Sequence, residues 1–294
     1  MLERVDHLVV AVSDLDAATD TYAGLLGLSP SWQGTHPGAG TANAIFRLDN
    51  TYLELLAPHE EGPIGAMLRA KLDRDGEGPA ALAFATRDLD TTVADLASRG
   101  IETTSPADGE GKDATGNARR WRSTFLSPQA TRGLTTILIE HASPSDALSP
   151  ALPRGSSDGA VSAVDHVVIL TSDPDDAIVL YRDKLGIRLA LDRTFEERGM
   201  RLLFFRLGGL TLECAATSAQ GGAAGVGDRF WGISYRVRDI EAARARLAAA
   251  GFDVSEVRSG MKPDTRVCTV RKETHGVATL IIAPDEGSTS RTRA

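Results

Sequence analysis

The chain has 294 residues, is 42% hydrophobic and 24% charged, and carries a formal net charge of −8. This length allows two domains with sizeable cores, and the acidic balance disfavours nucleic acid or an anionic membrane as the main partner. No stretch approaches the roughly 20 apolar residues of a membrane-spanning helix, and we expect no signal peptide. The two cysteines are too few and too distant for a disulfide framework, which predicts a reducing, cytoplasmic location.

The first quarter of the chain predicts one βαβββ unit. An apolar strand at 5–12 is followed by an amphipathic helix near 15–26. Asp14 is placed to cap the start of this helix, because its carboxylate can accept from unpaired backbone N–H groups. Gly27 can end the helix in the left-handed conformation. Three further strands are predicted near 30–34, 42–48 and 51–57.

The same order of elements is predicted three more times. The second quarter has a strand at 81–87 and a helix that ends at Gly100. Its remaining strands are predicted near 101–104, 118–126 and 134–141. The third quarter, 163–216, repeats the first, and the fourth quarter, 229–284, repeats the second.

Two polar residues inside apolar strands recur at one constant spacing. His7 and Glu54 return as His166 and Glu213, each shifted by 159 residues, and an Asp precedes the His both times. Self-similarity of this kind indicates a tandem repeat. One βαβββ module leaves one face of its sheet uncovered, and two modules can pair to enclose a cavity.

We therefore predict an α+β fold in which four βαβββ modules, in the order A-B-A′-B′, form two half-barrel domains. The predicted domains are 1–142 and 161–285. The segment 143–160 is rich in Ser, Pro and Gly and predicts a solvated linker. The residues 286–294 predict a frayed tail.

These motifs resemble those of the vicinal oxygen chelate superfamily, which includes glyoxalase I, extradiol dioxygenases, methylmalonyl-CoA epimerase and bleomycin-resistance proteins. Within it, the first half looks most like the glyoxalase-like domain proteins. The resemblance rests on five segments: Asp6-His7, His36 to Asn43, Thr51 to Leu55, Arg120-Trp121-Arg122, and Leu138 to Glu140. The fold so implied is the glyoxalase/bleomycin-resistance/dioxygenase type, in agreement with the repeat.

The resemblance also implies one divalent metal in the cavity, held by the first and last strands of the modules. Carried over to this chain, the implied ligands are His7, Glu54, Glu140, His166 and Glu213. The corresponding positions Ala81, Gly232 and Ala283 have no ligand group. Imidazole and carboxylate ligands suit Zn, Fe(II), Mn, Ni or Co.

How the modules pair decides which ligands meet. If they pair within each half, the first half offers a three-ligand site at His7, Glu54 and Glu140. If the two A-type modules pair instead, His166 and Glu213 join His7 and Glu54. The short connections within each half favour the first arrangement.

Further residues of the matched segments are candidates for substrate binding: His36, Asn43, Tyr52, Arg120, Trp121 and Arg122. His36 adjoins a glycine-rich loop, where the backbone can approach a ligand closely. Trp121 faces opposite to the arginines on either side because side chains alternate along a strand. The polar segment 106–117 predicts a loop that could act as a lid or simply be mobile.

The resemblance implies a metal that chelates neighbouring oxygens of a small substrate and stabilises an enolate, with Glu54 or Glu140 as general base. A lyase, isomerase or glyoxalase-like reaction follows.

An Fe(II) dioxygenase is a further alternative, which Gly232 disfavours because typical extradiol enzymes have a His there. The alternative from another class is a metal-free protein that binds a small molecule or antibiotic, and the vacant ligand positions favour it. The expected partner is a small molecule, and the expected state is a monomer or homodimer.

Overall fold

The computed structural model describes residues 1–217 and 227–285 of the chain. The tail predicted at 286–294 lies outside the described residues. Within the described ranges, no helix is long and apolar enough to cross a bilayer. Two eight-stranded sheets follow one another along the chain, which confirms the predicted α+β fold with two domains in tandem.

The first half folds into a closed barrel of eight strands. Its strands in chain order are β1 (Arg4–Ala11), β2 (Leu28–Ser29), β3 (Trp32–His36), β4 (Thr41–Arg47), β5 (Tyr52–Pro58), β6 (Gly78–Ala85), β7 (Ala107–Asp113), β8 (Ala118–Phe125) and β9 (Thr136–His141). Its helices are α1 (Leu15–Leu26), α2 (Pro63–Asp75) and α3 (Leu89–Ser98). Around the barrel the order is β1-β5-β4-β3-β7-β8-β9-β6, with β2 outside it. Modules A and B therefore pair within the half, mainly through β1 and β6.

Helix α1 begins and ends where the sequence predicts. The Asp14 carboxylate accepts a hydrogen bond from the backbone N–H of Ala17 at 3.0 Å, and Gly27 ends the helix with φ at 70°. Helix α2 is not predicted by the sequence pattern. Only Gly65 and Leu68 of its residues are buried, so no apolar stripe marks it.

The barrel closes through β7, which pairs with β3 on one side and with β8 on the other. The segment 106–117 is therefore mostly strand β7 in the barrel wall, followed by the turn into β8, and its prediction as a loop is wrong. The strand predicted at 101–104 is reduced to a single bridge between Thr103 and Leu126. Glycine allows the closure, because a Cβ at Gly109 would lie 2.3 Å from Nε1 of Trp121.

The linker predicted at 143–160 has some regular structure. It contains a 3₁₀ turn at Ser145–Ala147 and the short strand β10 (Leu152–Pro153). Strand β10 pairs with β2 of the first half. The linker is thus held against the first half by backbone hydrogen bonds.

The second half forms an open sheet. Its strands are β11 (Ala163–Leu170), β12 (Arg188–Phe195), β13 (Met200–Leu207), β14 (Leu210–Thr217), β15 (Arg229–Arg236), β16 (Arg258–Ser259), β17 (Thr265–Val270) and β18 (Ala278–Pro284). Its helices are α4 (Pro174–Ile178), which continues as a π-helical segment at Val179–Lys184, and α5 (Ile240–Ala249). The order is β12-β13-β14-β11-β15-β18-β17-β16, and the edge strands β12 and β16 do not pair among the described residues.

One apolar core spans both halves. Leu8 and Leu25 from the first half belong to the same buried cluster as Val167 and Leu247 from the second. The helical faces of the two sheets share this core, because each sheet contributes alternate residues to it. The opposite face of the first sheet lines a cavity.

Candidate functional site

The barrel of the first half encloses a cavity of about 460 Å³, a size typical of small-molecule sites. One part of its wall is polar and aromatic and includes His7, Trp32, His36, Asn43, Tyr52, Glu54, Arg119 and Trp121. The rest is mostly apolar and includes Val9, Leu56, Ile64, Phe125, Ile137 and Ile139. The structure thus brings together six of the residues that the sequence predicts for substrate or metal binding in the first half: His7, His36, Asn43, Tyr52, Glu54 and Trp121.

His7 is oriented by the carboxylate next to it in the chain. Its Nδ1 lies 2.9 Å from Oδ1 of Asp6, and Nε2 of His141 lies 3.0 Å from Oδ2 of Asp6. Burial alone would raise the pKa of Asp6, but the hydrogen bonds with His141 and His7 hold it far below its usual range. Asp6 is therefore an ionised acceptor, and Nδ1–H of His7 donates to it. The Tyr52 ring stacks on the imidazole with centroids 4.6 Å apart.

Glu54 faces the other side of the His7 imidazole. Its Oε2 lies 3.5 Å from Nε2 of His7, and its Oε1 accepts a hydrogen bond from Nδ2 of Asn43 at 2.6 Å. Glu54 is 7% exposed, and it lines the cavity. The site therefore presents a buried carboxylate that is held by Asn43, faces the His7 imidazole and is open to a ligand.

His36 is held in a neutral form at the same place. Its Nδ1 lies 2.8 Å from Oγ1 of Thr41, and its Nε2 lies 3.2 Å from Nδ2 of Asn43. Burial lowers the pKa of His36, although the nearby Glu54 charge works in the opposite direction. Both ring nitrogens have partners, so His36 shapes the wall rather than offering a free lone pair.

Three predicted site residues lie outside the cavity, so their assignment to it is wrong. Glu140 faces the helical side of β9, and its Oε2 accepts from the backbone N–H of Leu89 at the start of α3. Arg120 and Arg122 point outward from β8 and pair with the half-buried carboxylate of Glu110 and the exposed carboxylate of Asp90. Alternation along a strand explains all three positions, because Ile139 and Trp121 take the inward places.

The same alternation identifies a residue that the sequence reasoning missed. Arg119 is two residues from Trp121 on β8, so both side chains face the cavity. Its guanidinium carbon lies 5.8 Å from the ring centre of Trp32 and 5.7 Å from that of Tyr52. The signal was present in the sequence, since an inward Trp121 implies an inward Arg119.

Strand register shows which residues of module B correspond to the ligand positions of module A. In the β1–β6 pair, His7 lies opposite Ala83 and Val9 lies opposite Ala81, so Ala81 is the symmetry mate of His7. In the parallel β1–β5 pair Glu54 lies opposite Val9, and in the parallel β6–β9 pair Ile137 lies opposite Ala83. Ile137, not Glu140, is thus the counterpart of Glu54.

The second half repeats the His–Glu pair without the rest of the site. Nε2 of His166 lies 3.6 Å from Oε2 of Glu213, and Nδ1 lies 3.0 Å from Asp165. Burial raises the pKa of Glu213. The residues that line the first-half cavity all precede residue 140, so the arrangement in which all four ligands converge is not formed. At the places of His36 and Asn43, the matching strand pair β12–β13 has Phe195 and Leu202.

The residues present do not fit the three- or four-ligand metal centre that the resemblance implies. Across the barrel from His7 and Glu54, the counterpart positions are the apolar Ala81 and Ile137, and the nitrogens of His36 are engaged. In the ranges that the structure describes, no group of three or more His, Cys, Asp and Glu side chains could hold a metal ion. The first half therefore offers two ligands at most, His7 and Glu54.

We expect Asp6→Asn to destabilise the protein in a pH-dependent way. Because the pKa of Asp6 is lowered by folding, its charge contributes stability that is fully present above the unfolded value, about 4, and is lost as the pH falls through the folded value. We expect the variant to lose about 2 kcal/mol or more at neutral pH, and the difference to shrink below about pH 4.

Urea unfolding from about pH 7 to about pH 3 measures this difference. Asp73→Asn, at an exposed position of α2, is the control and should leave the pH dependence unchanged. A difference between wild type and Asp6→Asn that stays constant with pH would show that the charge of Asp6 does not contribute.

Fold, cavity and repeat together define a protein of the vicinal oxygen chelate type. Residues 5–160 match the family described as glyoxalase-like domain. Residues 165–269 match the glyoxalase/bleomycin resistance protein/dioxygenase superfamily. The chain belongs to the glyoxalase-like domain family, and the resemblance inferred from the sequence is confirmed.

Known proteins extend this finding at the level of the fold. A triple mutant of 4-hydroxymandelate synthase from Streptomyces coelicolor has a TM-score of 0.70 at 15% identity, over 97% of this chain and 93% of that one. A hypothetical protein from Staphylococcus aureus has a TM-score of 0.65 at 10% identity, over 95% and 98% of the two chains.

A curated protein matches a shorter stretch at higher identity. Ethylmalonyl-CoA/methylmalonyl-CoA epimerase from Cereibacter sphaeroides is 38% identical over 69 residues, which is 23% of this chain. The match spans about half the length of that epimerase, 52%.

Proposed function

We propose that the chain is an enzyme that moves a proton at a carbon next to a carbonyl or carboxyl group of a small molecule. The observation that carries the proposal is the Glu54 carboxylate, which is buried, held by a hydrogen bond from Asn43, and open to the cavity. Burying a carboxylate costs free energy. Such groups in a cleft are often part of a functional site. General-base catalysis is the chemistry that it supports best.

In this reaction Glu54 takes the proton from the substrate carbon, and the electron pair moves onto the carbonyl oxygen to give an enolate. Return of the proton restores the substrate, exchanges its hydrogen with solvent, or inverts the carbon centre. The Asn43 hydrogen bond holds one oxygen of Glu54, which leaves Oε2 for the substrate. The short match to an epimerase supports a reaction of this class, because epimerisation also requires proton transfer at carbon.

The test is hydrogen exchange with solvent. Purified protein without an affinity tag is incubated in deuterated buffer with 2-oxo acids, arylacetates and acyl thioesters, and loss of the C–H signal is followed by NMR. We expect at least one class to exchange faster with the protein than without it. Binding of a compound without exchange by any class would instead indicate the alternative predicted from the sequence, a protein that binds a small molecule or antibiotic.

A metal-dependent reaction is the second candidate. Asp6 keeps the proton of His7 on Nδ1, so the Nε2 lone pair faces Oε2 of Glu54 across 3.5 Å. Two electron-rich atoms that face each other favour a cation between them, either a proton or a divalent metal. We expect exchange to persist after chelator treatment. Bound divalent metal in the untagged protein, together with activity that a chelator removes and the metal restores, would favour the second candidate.

A further inference from the structure

Arg119 is a buried cation in the wall of the first-half cavity, and only 8% of the residue is exposed. In the part of the chain that the structure describes, no carboxylate lies within ion-pair distance of its guanidinium. The neighbouring Arg120 and Arg122 have such partners, in Glu110 and Asp90. Because burial of an unpaired cation is unfavourable, the missing counter-ion of Arg119 needs an explanation.

Two aromatic rings hold the guanidinium in place. Its central carbon is 5.8 Å from the Trp32 ring centre and 5.7 Å from the Tyr52 ring centre, both within the range of cation–π attraction. These contacts orient the group without using its N–H donors. A guanidinium has five donors in a planar fork that matches a carboxylate, so Arg119 is prepared for an anion.

We propose that Arg119 binds the anionic group, a carboxylate, of a small substrate with an apolar body. The inference rests on the proposed function and adds its substrate class. The body would lie on the apolar part of the wall, at Leu56, Phe125, Ile137 and Ile139, which suits an aryl or branched alkyl group. Arg119 would also counter the negative charge that develops on the enolate when Glu54 removes the proton.

The test compares carboxylates with their neutral amides by calorimetric titration. The probes are acetate, benzoate and phenylacetate, each against acetamide, benzamide and phenylacetamide. We expect the wild-type protein to bind at least one carboxylate about tenfold or more tightly than its amide, as expected for hydrogen bonds to a charged group. Arg119→Gln should remove the preference, Arg119→Lys should keep part of it, and the outward-facing control Arg120→Gln should keep all of it.

The proposal is overturned if the wild type shows no preference for any carboxylate, or if Arg119→Gln retains the preference. Where Arg119→Gln fails to fold, which thermal unfolding would reveal, Arg119→Lys takes its place, and an undiminished preference in that variant overturns the proposal. Glu54→Gln separates this proposal from the proposed function, because the variant should still prefer the carboxylate. A carboxylate preference without proton exchange would defeat only the proposed function. Exchange of amides and carboxylates at equal rates, unchanged in Arg119→Gln, would defeat only the anion site.

Discussion

Glu54→Gln is expected to reduce proton exchange by at least about 100-fold, the lower end of the usual contribution of a general base. Glutamine has nearly the same shape and can still accept the hydrogen bond from Asn43, so the cavity should keep its form. What the variant lacks is the negative charge that takes the proton. The measurement is the NMR exchange rate of whichever substrate class the wild type processes.

The repeat provides a matched control, Glu213→Gln. Glu213 stands in the same relation to His166 as Glu54 does to His7, with nitrogen–oxygen distances of 3.6 and 3.5 Å. Its surroundings lack the Asn43 and His36 side chains, because Leu202 and Phe195 occupy those places. We expect Glu213→Gln to exchange at the wild-type rate.

Other outcomes are informative in different ways. Equal loss in both variants would mean that the two halves act together, and full activity of Glu54→Gln would remove Glu54 from the mechanism. Loss of a metal ligand would give the same reduction as loss of a base. The exchange rate of chelator-treated wild-type protein distinguishes a metal-ligand role of Glu54 from a general-base role. Only a general base would still support exchange without the metal.

The fold was accessible from the sequence because its signals are local or periodic. Asp14 and Gly27 mark the ends of α1 by their backbone chemistry, and the 159-residue repeat of His7 and Glu54 reveals the duplication. Duplication then implies matching sheets, and short connections imply pairing within each half. Each of these inferences depends on residues close in sequence or on their copies.

The errors in the site come from register, which a single sequence does not determine. Glu140 lies near the end of the predicted strand 134–141 and looked like the counterpart of Glu54, but pairing of β6 with β9 gives that place to Ile137. A shift of one residue along a strand moves a side chain to the other face. The same reasoning separates Arg119, which enters the cavity, from Arg120, which does not.

The closure of the barrel by β7 could not be predicted from the sequence either. Strand β7 is polar and contains Gly109 and Gly111, a composition that predicts a loop. It becomes a strand because β3 and β8 provide partners on both sides. Tertiary pairing thus overrode local propensity, as is common for strands.

Arg246→Ala is expected to cause the largest loss of stability, because Arg246 joins the two halves. From α5 its guanidinium donates to the carbonyl oxygens of Leu25 at 2.9 Å and Gly159 at 3.1 Å, and also to that of Gly24. Gly24 and Leu25 lie in the last turn of α1, where carbonyl groups lack partners and the helix dipole favours a cation. Gly27 also matters here, since a Cβ at that position would lie 2.8 Å from Nε of Arg246.

Removing this side chain takes a charged donor away from three carbonyl groups, so we expect a loss of about 3–5 kcal/mol in the free energy of unfolding. Urea unfolding followed by tryptophan fluorescence and by circular dichroism measures it. Arg271→Ala is the control: Arg271 pairs with Asp253 at the surface, with side chains 53% and 44% exposed, and should contribute about 1 kcal/mol or less. If Arg246 couples the halves, the two probes should separate in the variant and coincide in the wild type. A variant as stable as Arg271→Ala, with coincident transitions, would show that the apolar core alone holds the halves together.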